Sequence, residues 1–138
     1  MRKEIVLLTF LKYGNILGRK RFQKLVFLAK YKYGAGIPFI FVNYKYGPYS
    51  RELQDVLDGL VMAGFVEEVK RISDGFVEYE YRLTGKGRFL VGLFPLSRSD
   101  EEAIRQVMDE YGNKPTREVV EEAYKVAGLK PPGGRSKD

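Results

Sequence analysis

The sequence predicts a mainly helical α+β fold, on three observations. Four stretches repeat apolar residues at helical spacing, a fifth is apolar almost all round, and one stretch after a turn alternates at period two. Glycine- and proline-centred stop signals separate them. The chain has 138 residues, of which 44% are hydrophobic and 14% aromatic, enough for one compact domain with a real core.

Residues 3–13 (KEIVLLTFLKY) are apolar almost all round from Ile5 to Leu11, which predicts a buried helix ended by Gly14-Asn15. Ile16-Leu17-Gly18 reads as a short extended connector. A second helix runs from Arg19 to Tyr33 with Gly34 as its stop. Its core stripe is Phe22, Leu25, Val26, Ala29 and Tyr33. On the opposite side lies a basic-aromatic stripe of Lys20, Lys24, Phe27 and Tyr31, which needs a cover of some kind.

Residues 37–44 (IPFIFVNY) are β-branched and aromatic and predict a strand, followed by a turn at KYGP. The third helix spans Ser50 to Ala63 with Leu53, Val56, Leu57, Leu60 and Val61 buried. FVEEVKRI, a turn at Ser73-Asp74-Gly75 and FVEYEYRL predict a β-hairpin. Thr84 to Phe94 is a short helical or extended segment. Pro95 marks a seam. Beyond it, Ser99 with Glu102 reads as a capping box for a helix carrying Ala103, Ile104, Val107, Met108 and Tyr111. Pro115-Thr116 opens a last helix with Val119, Val120, Ala123, Tyr124 and Ala127. Residues 129–138 (LKPPGGRSKD) lack anything to pack and predict a disordered tail.

This order describes a winged helix-turn-helix with a β-hairpin wing and two extra C-terminal helices. The expected organisation is a winged-helix domain over 1–94 and a helical extension over 95–128. The extension either packs on the core or pairs with a second copy as a homodimer.

Composition narrows the chemistry. Cys, His and Trp are absent, so thiolate nucleophiles, imidazole bases, zinc ribbons and Ser-His-Asp triads are excluded. Glu68-Val69-Lys70 with Asp58 imitates the acid…ExK pattern of metal-dependent nucleases, but a hairpin offers no pocket and the tripeptide is common by chance. Gly85-Lys86-Gly87 is too short to cradle a phosphate. The expectation is a non-catalytic protein with no cofactor and no metal. Ile5–Leu11 is far shorter than the ~20 residues a membrane span needs, and no small-residue cleavage site follows it, so a cytoplasmic location without membrane partners is expected.

The net charge is +6, and its distribution is uneven. Residues 1–34 hold nine Lys and Arg against Glu4 alone. Such a basic third suits nucleic acid or an acidic protein. Arg19, Lys20, Arg21 and Lys24 are candidates to meet phosphates, with Lys70, Arg71 and Arg82 of the hairpin as a second contact. Phe27 and Tyr31 supply stacking surface or, if the partner is a protein, its apolar anchors. Against major-groove reading, the third helix carries Arg51 against Glu52, Asp55 and Asp58. Nucleic acid is slightly favoured, and a protein partner is the alternative.

RFQKLVFLAK (21–30), YKYGPYSREL (44–53), LVMAGFVEE (60–68) and YRLTGKG (81–87) resemble the uncharacterised YwgA family. More distantly they resemble the Panacea (SocA-like antitoxin) domains. The likeness covers roughly 16–94, with an echo in VVEEAYKVA (119–127). It implies an intracellular, winged-helix-like domain without enzymatic activity and, from the Panacea group, a partner-neutralising or adaptor role. Gln23, Lys24, Gly47, Pro48, Tyr49 and Ser50 occupy the motif positions. Physically, Gly47-Pro48 suits a turn, Ser50 a helix cap, and Gln23 a bond to the segment between the helices.

Overall fold

Residues 1–45 and 47–129 are described in a computed structural model. In chain order the elements are α1 (Arg2–Lys12), β1 (Ile16–Leu17), α2 (Arg19–Tyr31), β2 (Val42–Tyr44), β3 (Gly47–Tyr49) and α3 (Arg51–Met62). These are followed by β4 (Val66–Ser73), β5 (Phe76–Leu83), α4 (Gly85–Leu93), α5 (Arg98–Tyr111) and α6 (Thr116–Ala127). The protein is therefore α+β and mainly helical, with two small antiparallel sheets.

The apolar run of α1 explains its position. Every residue from Ile5 to Leu11 is buried, and the polar member, Thr9, donates its hydroxyl to the Ile5 carbonyl one turn back at 2.7 Å. α2 is enclosed even more fully, with Arg21 through Ala29 all buried. It packs against α5, α6 and β3, while α1 meets α3, α4 and α5.

The hairpin expected after Gly64 is present. β4 and β5 pair from Val66↔Leu83 to Ser73↔Phe76. The turn residues Asp74 and Gly75 both have positive φ, 50° and 80°, the backbone that a tight two-residue hairpin turn requires. The Ile16–Leu17 connector forms β1, which adds to the free edge of β5 and gives the order β1-β5-β4.

Two expectations change, and one left open between helix and strand is settled. Residues 37–41 are not strand, and only Val42–Tyr44 pairs, with Gly47–Tyr49. Pro38 has no N–H to donate, and Ile37 and Phe39 are buried as anchors, with the Phe39 carbonyl accepting from Lys30 Nζ at 2.6 Å. The segment after β5 resolves as helix α4, capped by Thr84, whose hydroxyl accepts from the Gly87 N–H at 3.0 Å. The cap of α5 is Ser97, which accepts from the Asp100 N–H at 3.2 Å, two residues before the expected Ser99.

α5 and α6 bury their stripes against α1 and α2 of the same chain. Ion pairs reinforce this contact: Arg2 with Asp100 at 3.0 Å, Lys12 with Glu101 at 2.5 Å, and Lys32 with Glu122 at 3.0 Å. Of the predicted tail, Leu129 is placed, its N–H donating to the Tyr124 carbonyl at 2.8 Å, while 130–138 lie outside the described residues.

Candidate functional site

The stripe Lys20–Lys24–Phe27–Tyr31 runs along α2 as expected, and its middle is covered by the segment that follows the helix, over residues 32–45 and 47–50. That segment returns across the helix and delivers β3 to its middle. Lys24 is only 2% exposed, and its Nζ donates to the Pro48 carbonyl at 2.8 Å. Burial, followed by the nearby Lys20 charge, pushes the Lys24 ammonium down to about 8. Phe27 is buried against Phe41, their centroids 5.4 Å apart and nearly perpendicular. Tyr31 packs on Phe27 at 4.8 Å and remains 52% exposed.

Gln23 fixes the return of the chain. Its Nε2 donates to the Ser50 carbonyl at 2.8 Å and its Oε1 accepts from the Ser50 N–H at 2.9 Å. The Ser50 hydroxyl in turn accepts from the Leu53 N–H and caps α3. Gly47, at φ +97°, lies so close to α6 that a Cβ there would meet the Tyr124 ring at 2.5 Å. The Gln-Lys and Gly-Pro-Tyr-Ser elements, separate in sequence, thus form one clasp.

The chain is similar to YwgA. The match is to "Uncharacterized protein YwgA" of Bacillus subtilis (strain 168), 40% identical over 76 residues, which is 54% of this chain. The chain covers 44% of that protein's length. No family model matches. The YwgA match agrees with the family that the sequence resembles and carries no activity with it.

Two small clefts flank Tyr49. One, of about 240 Å³, is lined by Arg19, Lys20, Gln23, Lys24, Tyr49 and Gln54. The other, of about 220 Å³, is lined by Lys24, Tyr44, Gly47 and Tyr49. Tyr44 and Tyr49 meet edge to face at 5.6 Å. Tyr31 at the end of α2, Ile40 in the connection that follows and Val42 and Tyr44 on β2 are all exposed. A larger open hollow of about 740 Å³ near α5 and α6 is lined by three lysines and four glutamates, so its charges largely cancel.

The remaining expected contacts lie elsewhere. Arg21 is buried, donating to the carbonyls of Gly112 and Lys114 at 3.2 and 2.5 Å and to the Thr116 hydroxyl at 3.2 Å. It binds the α5–α6 turn. Arg19 donates to the Tyr81 hydroxyl at 2.9 Å and to Glu68 at 3.3 Å, and Asp58 lies 3.9 Å away. Arg71 and Arg82 converge on Glu80 at 2.7 and 2.9 Å and hold its carboxyl below the usual range. Lys70 is exposed on β4. Arg21, Lys24 and Phe27 are therefore interior groups, and Arg19 and Lys20 share the cleft with Lys24.

Glu68, singled out with Lys70 for its spacing, accepts from Tyr81 Oη at 2.7 Å and anchors Arg19. Among the described residues no three Asp or Glu side chains gather as a metal site, and no helix is long and apolar enough to cross a membrane. Gln54 was not foreseen in the cleft. Its only sequence signal is a polar residue next to Leu53 on the buried side of an amphipathic helix.

Proposed function

We propose that this chain is a non-catalytic binding module on a winged-helix-like scaffold, and that its ligand is another protein. One observation carries the choice of ligand: most cations of the basic N-terminal third have partners within the chain. Arg2, Lys3, Lys12, Arg19 and Lys32 pair with Asp100, Glu52, Glu101, Glu68 and Glu122. Arg21, Lys24 and Lys30 donate to backbone carbonyls. Counterion-releasing contact with a long phosphate backbone needs many cations that face solvent unpaired, and five of these are already met by carboxylates. The order α1-β1-α2-β2-β3-α3-β4-β5, with β1 beside β5, supports a winged-helix-like reading in which β2 and β3 are inserted between α2 and α3.

The docking face of this reading is the set Tyr31, Ile40, Val42 and Tyr44, with Lys20 and Lys45 as its polar rim. Exposed aromatic and aliphatic side chains next to charged ones suit protein interfaces. The Panacea resemblance points the same way, to an adaptor or antitoxin-like role. The test is site-specific photo-crosslinking from position 44 in cells, followed by reconstitution with the purified partner. Tyr31→Ala/Tyr44→Ala should abolish that complex and leave the fold intact. Micromolar, salt-steep binding of an arbitrary duplex of ~25 base pairs, unaffected by the double variant, would instead restore the nucleic-acid reading.

A further inference from the structure

Five of the N-terminal cations, Arg2, Lys3, Lys12, Arg19 and Lys32, face carboxylates. Lys24 differs. It is almost wholly buried, and its acceptor is a neutral carbonyl, that of Pro48. An ammonium has three donors and a full charge, and burying it without an anion is costly. The cleft beside it is lined by three cations, two amides and one phenol, with no carboxylate among them. The first turn of α2 also lacks an acidic residue, and its N-cap, Gly18, provides no side-chain bond. The helix therefore adds positive potential at the same end.

We propose that this cleft is an oxyanion-binding site for a small molecule, with Lys20 and Lys24 taking a phosphate-type head group and Tyr49 forming the wall beside it. The Gln54 side chain contributes an amide at the opposite wall, steadied by its own bond to Asp58 at 3.0 Å. Arg19, engaged with Glu68, closes the rim. Lys24 and Tyr49 also line the second cleft with Tyr44, which sets a tyrosine-walled space beside the first. An anion seated there supplies the counter-charge that Lys24 lacks, and its binding is strongest below pH 8, where that ammonium is protonated. Asp58 and Glu68 are the carboxylates that hold the rim groups, and they oppose the anion.

The test is a titration of ¹⁵N-labelled protein with inorganic phosphate and with phenyl phosphate at pH 7, ionic strength held constant with sodium chloride. Saturable shifts confined to the Lys20, Gln23, Lys24 and Gln54 amides support the site. Phenyl phosphate binding more tightly than phosphate supports the aromatic wall. Loss of one charge-assisted bond in Lys20→Gln should weaken binding by roughly tenfold. Asp58→Asn should strengthen it. Lys24→Met tests the buried cation directly, and Lys20→Gln, a surface change, decides the matter if Lys24→Met fails to fold. Shifts that do not saturate, that spread over other lysines, or that persist unchanged in Lys20→Gln overturn the proposal.

Discussion

Gln23 holds the backbone of Ser50 from both sides, donating to its carbonyl at 2.8 Å and accepting from its N–H at 2.9 Å. One side chain thereby satisfies a buried residue at the start of α3 and closes the long connection from α2. Both residues are about 1% exposed, so water has no access to replace the pair.

Gln23→Leu leaves the buried Ser50 N–H without a partner, at ~1–3 kcal/mol, and its carbonyl with only the long bond from the Gln54 N–H at 3.4 Å. Urea denaturation should show a loss of about 2–4 kcal/mol, accompanied by faster amide exchange at Leu53, where the cap loosens. A loss under about 1 kcal/mol would mean that the clasp is not what closes this connection.

Lys24 makes stability rise with alkali before it falls. Its folded pKa is depressed to about 8, against an unfolded value of ~10.4, so the unfolded chain binds more protons between these values and stability increases with pH across them. The gain is on the order of 3 kcal/mol. Tyr13, Tyr81 and Tyr111 have phenols raised by burial, Tyr13 to about 12, so above pH ~10 they reverse the trend. Chemical denaturation from pH 7 to 11 should show a maximum near pH 10, and Lys24→Met should remove the rising limb.

Arg21 joins α2 to the α5–α6 turn through the carbonyls of Gly112 and Lys114 and the hydroxyl of Thr116. Arg21→Met keeps the buried stem and removes these bonds. It should cost ~2–4 kcal/mol and raise hydrogen exchange in α6 before α1. Uniform loss across the chain would show that α6 does not open as a separate unit.

Gly47→Ala combines a left-handed φ of +97° with a Cβ placed 2.5 Å from the Tyr124 ring. Destabilisation of about 2 kcal/mol or more is expected in thermal melts. Adding Tyr124→Ala should recover the steric part and leave the backbone strain, a coupling that a double-mutant cycle reads directly.

Asp100 anchors α5 to the N-terminal half. Its carboxyl is held low by the Gly36 N–H first and by Arg2. A depressed carboxylate stabilises above its unfolded pKa of ~3.9 and loses that contribution as pH falls. Asp100→Asn should weaken the protein near neutral pH and flatten its acid transition, measured by circular dichroism between pH 2 and 6.

Local pattern determined much of this protein. Gly14, Gly64, Thr84, Pro95 and Pro115 punctuate the chain where elements end or begin, because φ/ψ limits and helix caps are properties of a few adjacent residues. The Asp74-Gly75 turn and its flanking alternation specified the hairpin for the same reason. The Gln23 bond to the inter-helix segment was legible too, since a polar residue at the edge of a core stripe needs a partner. Strand residues 37–41 were misread because β-propensity is silent about whether a neighbouring strand exists.

What only the tertiary structure decided is where the charge goes. Helical periodicity placed Lys20, Lys24, Phe27 and Tyr31 on one face and Arg21 beside it, but a helix enclosed on every side has no solvent face to assign them to. Residues 32–45 and 47–50 fold back on the helix they follow, α6 arrives from distant sequence, and together they bury Lys24, Phe27 and Arg21 while leaving Lys20 and Tyr31 at the margins. Composition counted nine cations in the first 34 residues. Their pairing with Glu52, Glu101, Asp100 and Glu122 depends on long-range packing, because an ion pair acts over a few ångströms of space and is indifferent to separation along the chain.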